Sequence, residues 1–268
     1  MKILKTLSLS LLTLVLSLGF VGCAKQNDKE PQIQIPENHW VSEFSSREEL
    51  ETVFTDESIV NEYEDGFEVS MSSLALTINA KVKKVSEVYF GNFDLNYSLG
   101  EDEISFNIYL CDGYLYITRT QNETQAKSKM EFVVDESLED IANRTFNSQE
   151  EQMIYSSVSY LFMARTPSKL ITQLEDLLID NNTKSINVTK GYKETKTRYN
   201  YSLDYEESGA FIENDLLSVY ENSKLIEHRV MSTQIVYYEG SRMEQSNEYV
   251  YKTYSGDVEL PNFDDFNN

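Results

Sequence analysis

Uninterrupted alternation narrows the folds open to this chain more than anything else in it. Through 74–117 and again through 195–254, apolar and polar residues exchange at most steps. No proline falls between 37 and 166 or between 168 and 260. A period of two sends successive side chains to opposite faces of an extended strand. Proline would delete a ladder donor, so its absence lets strands run long. Leu74, Leu76, Ile78, Ala80 and Val82 make one apolar face. Tyr89, Phe93, Leu95, Tyr97 and Leu99 make a second, and Phe106, Ile108 and Leu110 a third. Asp112-Gly113 joins two such runs, and both residues tolerate the positive φ of a two-residue hairpin turn. Tyr114–Ile117 returns, and Phe132–Val134 is expected as a short further strand. Tyr199, Tyr201, Leu203 and Tyr205 then share a face. Phe211–Tyr220, Leu225–Tyr238 and Met243–Tyr254 follow, with turns at 221–224 and 239–242.

Between these β-rich halves the period lengthens to that of a helix. Asp135 is placed to cap a segment carrying Leu138 and Ile141. Ser148-Gln149-Glu150-Glu151 reads as a capping box before Met153, Ile154, Val158, Leu161 and Phe162. Pro167 ends that helix, and a stripe of Leu170, Leu174, Leu177 and Leu178 marks the next, closing near Asn181-Asn182. Ser46-Arg47-Glu48-Glu49 caps an earlier short helix near 46–56. The expected fold class is α+β, mainly antiparallel β. About ten long strands would form one strongly curved sheet, a half-barrel, with two or three central helices covering its concave face.

The start of the chain reads as an address. Lys2 and Lys5 precede an uncharged, Leu-rich stretch from Thr6 to Val21, shorter than the ~20 residues that span a bilayer. Phe20-Val21-Gly22-Cys23 resembles the lipobox of bacterial lipoprotein signal peptides, with Phe20 where that family usually has Leu. The resemblance implies cleavage between Gly22 and Cys23, a diacylglycerol on the Cys23 sulfur, and a protein held on the outer, extracytoplasmic side of a bacterial cell membrane. The alternative is an ordinary secretory leader with an incidental cysteine. Residues 1–22 are thus the signal, 23–45 a polar linker with Pro31 and Pro36, and 46–268 a single folded domain. Cleavage removes Lys2 and Lys5, taking the charge from −22 to −24.

The body has a likeness of its own. The Asp112-Gly113-Tyr114-Leu115-Tyr116-Ile117 hairpin, the helices over 148–180, the paired segments Leu203–Tyr220 and Leu225–Tyr238, and the terminal Val258-Glu259-Leu260-Pro261 together resemble the lipoprotein-carrier superfamily that includes LolA, LolB, LppX and LprG. The resemblance covers roughly 46–262 and rests on layout rather than on a signature motif. It implies an apolar cavity between sheet and helices that holds an acyl chain or a lipidated partner. Helix 148–165, or the loop near Pro167, would act as its lid.

Chemistry is sparse. Forty-five acidic against 23 basic residues disfavour a grip on nucleic acid. No Gly-x-Ser-x-Gly, Walker loop or His-Glu-x-x-His occurs, and His39 and His228 are the only histidines. His228, between Glu227 and Arg229, reads as an exposed ladder residue, and Cys111 as a small buried apolar one. No catalytic group, metal or cofactor is expected, and the protein is expected not to be an enzyme. Leu76, Ile78, Phe93, Leu95, Tyr97, Ile108, Tyr199, Tyr201 and Leu203 are the candidates to line the cavity, their tyrosines either marking an amphipathic wall or simply reflecting strand propensity. Two functions follow: a lipid-anchored binder of an apolar ligand between sheet and helices, or a surface lipoprotein whose filled core presents a patch to a protein partner.

Overall fold

A computed structural model describes residues 41–266, apart from 74–75, 100–101, 178–182, 208–209 and 239–240. The leader, Cys23, most of the linker, Leu74, Asn181-Asn182 and the Glu239-Gly240 turn therefore lie outside the described residues.

The alternating segments form one mainly antiparallel sheet. Its strands are β1 (Val41–Ser45), β2 (Gly66–Ser72), β3 (Leu76–Val85), β4 (Val88–Leu99), β5 (Asp102–Cys111), β6 (Tyr114–Gln121), β7 (Thr124–Glu131), β8 (Thr183–Lys193), β9 (Lys196–Glu207), β10 (Ala210–Glu221), β11 (Lys224–Tyr238) and β12 (Ser241–Thr253). They lie in the order β1-β8-β9-β10-β11-β12-β2-β3-β4-β5-β6-β7. Two meanders, β2–β7 and β8–β12, thus join where β12 pairs with β2. The helices are α1 (Arg47–Thr55), α2 (Leu138–Asn143), α3 (Gln149–Ala164) and α4 (Pro167–Leu177).

Local chemistry explains most boundaries. Asp112 (φ 49°) and Gly113 (φ 76°) turn β5 into β6, and Asn222 and Ser223 turn β10 into β11, also at positive φ. Ser46 and Ser148 accept from the amides of Glu49 and Glu151, capping α1 and α3. Pro167 opens α4 at its first position, where its missing amide costs nothing.

Several expectations are corrected. The sheet is open, with β1 and β7 as its edges, and is not strongly curled, so the half-barrel with a concave face does not form. Strong curl is introduced by bulges and glycine kinks, and among the described residues the register slips only at Val219/Tyr220 and Thr183/Ser185. Among the described residues the strands number twelve, against about ten expected. β1 falls inside the span read as linker, β8 opens the second half unannounced, and β7 replaces the short strand expected at Phe132–Val134. Asp135 does not cap α2; Ser137 does, accepting from the amide of Asp140.

One face of the sheet carries the core and the helices. Phe162 of α3 meets the rings of Phe67, Tyr89, Phe93 and Phe132, so a single side chain joins β2, β4 and the segment after β7. The run Ile154–Ser159 is buried without a break, and α3 is a core element rather than a lid. Each large apolar side chain sealed here contributes roughly 2 kcal/mol. Arg165, just past α3, is only 3% exposed and donates twice to Asp135 at 2.9 Å. Its guanidinium also covers the rings of Phe67, Tyr89 and Phe162. Burial raises the Asp135 pKa, but the Arg165 hydrogen bonds and charge outweigh it and hold the carboxyl below its usual range.

Candidate functional site

The nine residues expected to line a cavity all face the helices. Leu76, Ile78, Phe93, Leu95, Tyr97 and Ile108 sit together on β3, β4 and β5. Tyr199, Tyr201 and Leu203 sit on β9, five ladders away across β10–β12 and β2, roughly 24 Å at ~4.8 Å per strand. None of the nine is more than 7% exposed, and all belong to the hydrophobic core. Tyr201 is committed by its hydroxyl, which donates at 2.9 Å to Glu175 of α4. Glu175 in turn accepts a two-pronged pair from Arg47 of α1. Burial pushes the Tyr201 phenol well up. Cys111 is a free, buried thiol raised by burial and by Asp112, so it is not poised as a nucleophile.

Open volume lies on the opposite face. After β12 the chain turns back as a strap, residues 254–266, and crosses the outer side of β2–β7. Its start is fixed at Gly66, whose carbonyl accepts from the Tyr254 amide at 3.1 Å. Only glycine fits there: φ is 144°, and a Cβ would stand 2.2 Å from the Val82 carbonyl oxygen. Lys83 pairs with Asp257, and the Tyr254 hydroxyl donates at 2.9 Å to the Asp257 carbonyl. The Lys83 hydrogen bond holds the Asp257 carboxyl low. The far end is fixed by rings. Phe263 stacks on Tyr116 at 3.9 Å and meets the edge of Tyr109. Phe266 abuts Tyr116, with the Lys127 ammonium over its ring.

Between these two anchors the strap and the sheet enclose a groove of about 530 Å³. Strand register sets its floor. One cross-strand row runs Lys252, Glu68, Lys81, Asn92. The next runs Val250, Ser70, Asn79, Asp94. Tyr254, Asp257, Val258 and Glu259 close it from the strap side. The Asn92 side-chain oxygen is buried without a hydrogen-bond partner, and Asp94 accepts from Asn107. A second hollow of similar size, with Asn96, Glu103 and Thr120 in its wall, lies at the far end of β4–β6.

Sequence reasoning missed the strap groove. Its only advance signal was Phe263 and Phe266, two aromatic residues in an otherwise acidic tail. Among the described residues no cluster of three or more His, Cys, Asp or Glu is arranged to hold a metal, and no helix is long and apolar enough to cross a membrane. No protein-family model matches the chain, and no curated protein matches it significantly.

Proposed function

We propose that this chain is a bacterial lipoprotein, tethered through Cys23 to the extracytoplasmic face of the cell membrane, that binds at its surface and carries out no chemistry. Of the two functions expected from sequence, this is closer to the second, the surface lipoprotein whose filled core presents a patch to a protein partner. The observation that supports it is the contrast between the faces of the sheet. The inner face is packed with its own side chains, including all nine candidates. The outer face keeps a strap-covered groove of pocket size. The anchor reading is supported by Phe20-Val21-Gly22-Cys23 and by the short uncharged stretch before it. A diacyl anchor suffices for stable attachment.

Intact-mass analysis of the protein extracted from bacterial membranes tests this reading. The expected mass lacks residues 1–22 and carries diacylglycerol on Cys23, and no lipid co-purifies inside the fold. The Cys23→Ala variant is expected to lack the diacylglycerol mass. An uncut leader with an unmodified thiol would refute the anchor, and a stoichiometric apolar ligand retained by the folded body would refute the filled core.

A further inference from the structure

We propose that the outer face of β9–β12 is a docking surface for a basic amphipathic segment of another protein. This rests on the reading of a surface lipoprotein with a filled core, and it names the patch and the chemistry of its partner. The helices pack on the inner face, and the strap crosses β2–β7. The outer face of β9–β12 keeps large apolar side chains in the open.

Apolar surface is the first observation. Alternation from the inward Val230 sends Met231, Thr233, Ile235 and Tyr237 of β11 outward in one column. From Met231 to Tyr237 it runs roughly 20 Å at ~3.3 Å per residue. Tyr237 is 67% exposed and Met231 38%. Phe211 of β10 stands opposite Ile235 and widens the column. Exposed apolar surface rimmed by polar groups is the anatomy of a binding patch.

Charge is the second. In the strand register Glu213 and Asp215 of β10 flank the column on one side, with Asp204 of β9 behind them. Glu244 and Glu248 of β12 flank it on the other. Arg242 pairs with Glu244, and Arg229 is shared between Glu227 and Glu248. Asp204 and Asp215 are met by hydroxyls, of Ser185 and Ser202, and a neutral donor leaves the carboxylate charge in place. Glu213 stands directly across from Asp204, a like-charge pair that costs stability. Burial, and then the charges of Asp204, Asp215 and Glu244, push the Glu213 carboxyl up, with Arg242 opposing them. The face is left with an excess of negative charge on both flanks of an apolar column.

This pattern selects its occupant by complementarity. Lysines or arginines of a partner would meet the two flanks and relieve the repulsion between Glu213 and Asp204. The partner's apolar side chains would cover Met231, Ile235 and Tyr237. An acidic segment meets the same repulsion, and a purely cationic one leaves the column wet.

The test titrates full-length acylated protein, in a nonionic detergent with detergent alone as blank, with a labelled heptapeptide alternating lysine and leucine. Heptalysine and the matching glutamate–leucine peptide are the comparisons, and fluorescence anisotropy is the readout. The lysine–leucine peptide is expected to bind saturably, at least tenfold tighter than heptalysine. Asp204→Asn with Glu213→Gln is expected to weaken it at least fivefold while raising the urea midpoint, because the like-charge pair is gone. Met231→Ser with Tyr237→Ser, both exposed, is expected to weaken it as much. Glu57→Gln with Glu123→Gln removes equal charge at distant exposed positions and is expected to change binding less than twofold. The proposal is overturned if no saturable binding occurs, if heptalysine or the glutamate peptide binds as tightly, or if the two acid pairs weaken binding equally. The mass of Cys23 in the same sample keeps the two readings apart. Acylated protein that binds no peptide refutes the docking face alone, and peptide binding by unmodified protein refutes the anchor alone.

Discussion

His228 is fully buried on the helix-facing side of β11, its Nδ1 3.1 Å from the Ser218 hydroxyl and its ring beside that of Tyr251. Simple alternation from Leu225 would have pointed it outward, between Glu227 and Arg229. The extra residue at the register slip opposite Val219/Tyr220 turns it inward, because a one-residue slip exchanges the two faces of a strand. No composition signal announces such a bulge, which is why the reading of an exposed ladder residue failed here. Burial holds the imidazole neutral and pushes its pKa down to about 3. The unfolded chain, with an ordinary value near 6.5, therefore binds more protons as the pH falls below 6.5. Stability is lost progressively from there toward pH 3. Between pH 7 and pH 5 the wild type is expected to lose about 2 kcal/mol that His228→Gln retains. Urea unfolding at both pH values measures it, and parallel pH profiles for the two proteins would exclude this role for His228.

At the scale of elements, the legible parts were those whose local chemistry and burial agree. The Asp112-Gly113 turn, the Ser46 and Ser148 caps and the inward faces of β3–β5 and β9 were all readable. The edges were not. β7, with the sequence TQAKSKME, has no buried residue, so nothing in it alternates. Its polar, lysine-bearing character is what protects an open sheet edge from pairing with another chain. β1 is only five residues long, too short to show an alternating pattern, and reads as linker. The groove was hidden because Asn79, Asn92 and Asp94 resemble any solvated strand face until the strap returns over them. That return depends on few contacts, chiefly Phe263 on Tyr116 and Tyr109. Phe263→Ala is expected to cost about 1 kcal/mol or less of global stability, the scale of a surface aromatic contact. The same change is expected to raise amide exchange at least tenfold through 255–266 while leaving β3–β6 protected. Unchanged exchange in the strap would mean that the Lys83–Asp257 pair, the Tyr254 bonds and Phe266 on Tyr116 hold it without Phe263.

At the scale of the whole molecule, net charge sets the balance. A charge of −22 opposes compaction through self-repulsion, whereas exposed pairs such as Lys224–Glu64 and Lys169–Glu62 contribute ~0–1 kcal/mol each. The two effects act oppositely on stability. Screening weakens both, but repulsion acts across the molecule, and the Debye length shrinks from ~30 Å at 0.01 M to ~10 Å at 0.1 M. The Arg165–Asp135 pair, with the arginine sealed among rings, changes least. The urea midpoint is therefore expected to rise between 0.01 M and 0.5 M KCl, chloride being chosen to avoid the general strengthening that sulfate brings. A falling midpoint would show that local pairs outweigh the global field. The same excess of negative charge repels an anionic bilayer, so attachment has to come from the lipid. Protein that begins after Cys23, without leader or acyl chains, is expected not to sediment with phosphatidylglycerol vesicles at 0.01 M salt, where any electrostatic attraction is strongest. Sedimentation there would mean that a basic patch, rather than the acyl chains, brings the body to the membrane.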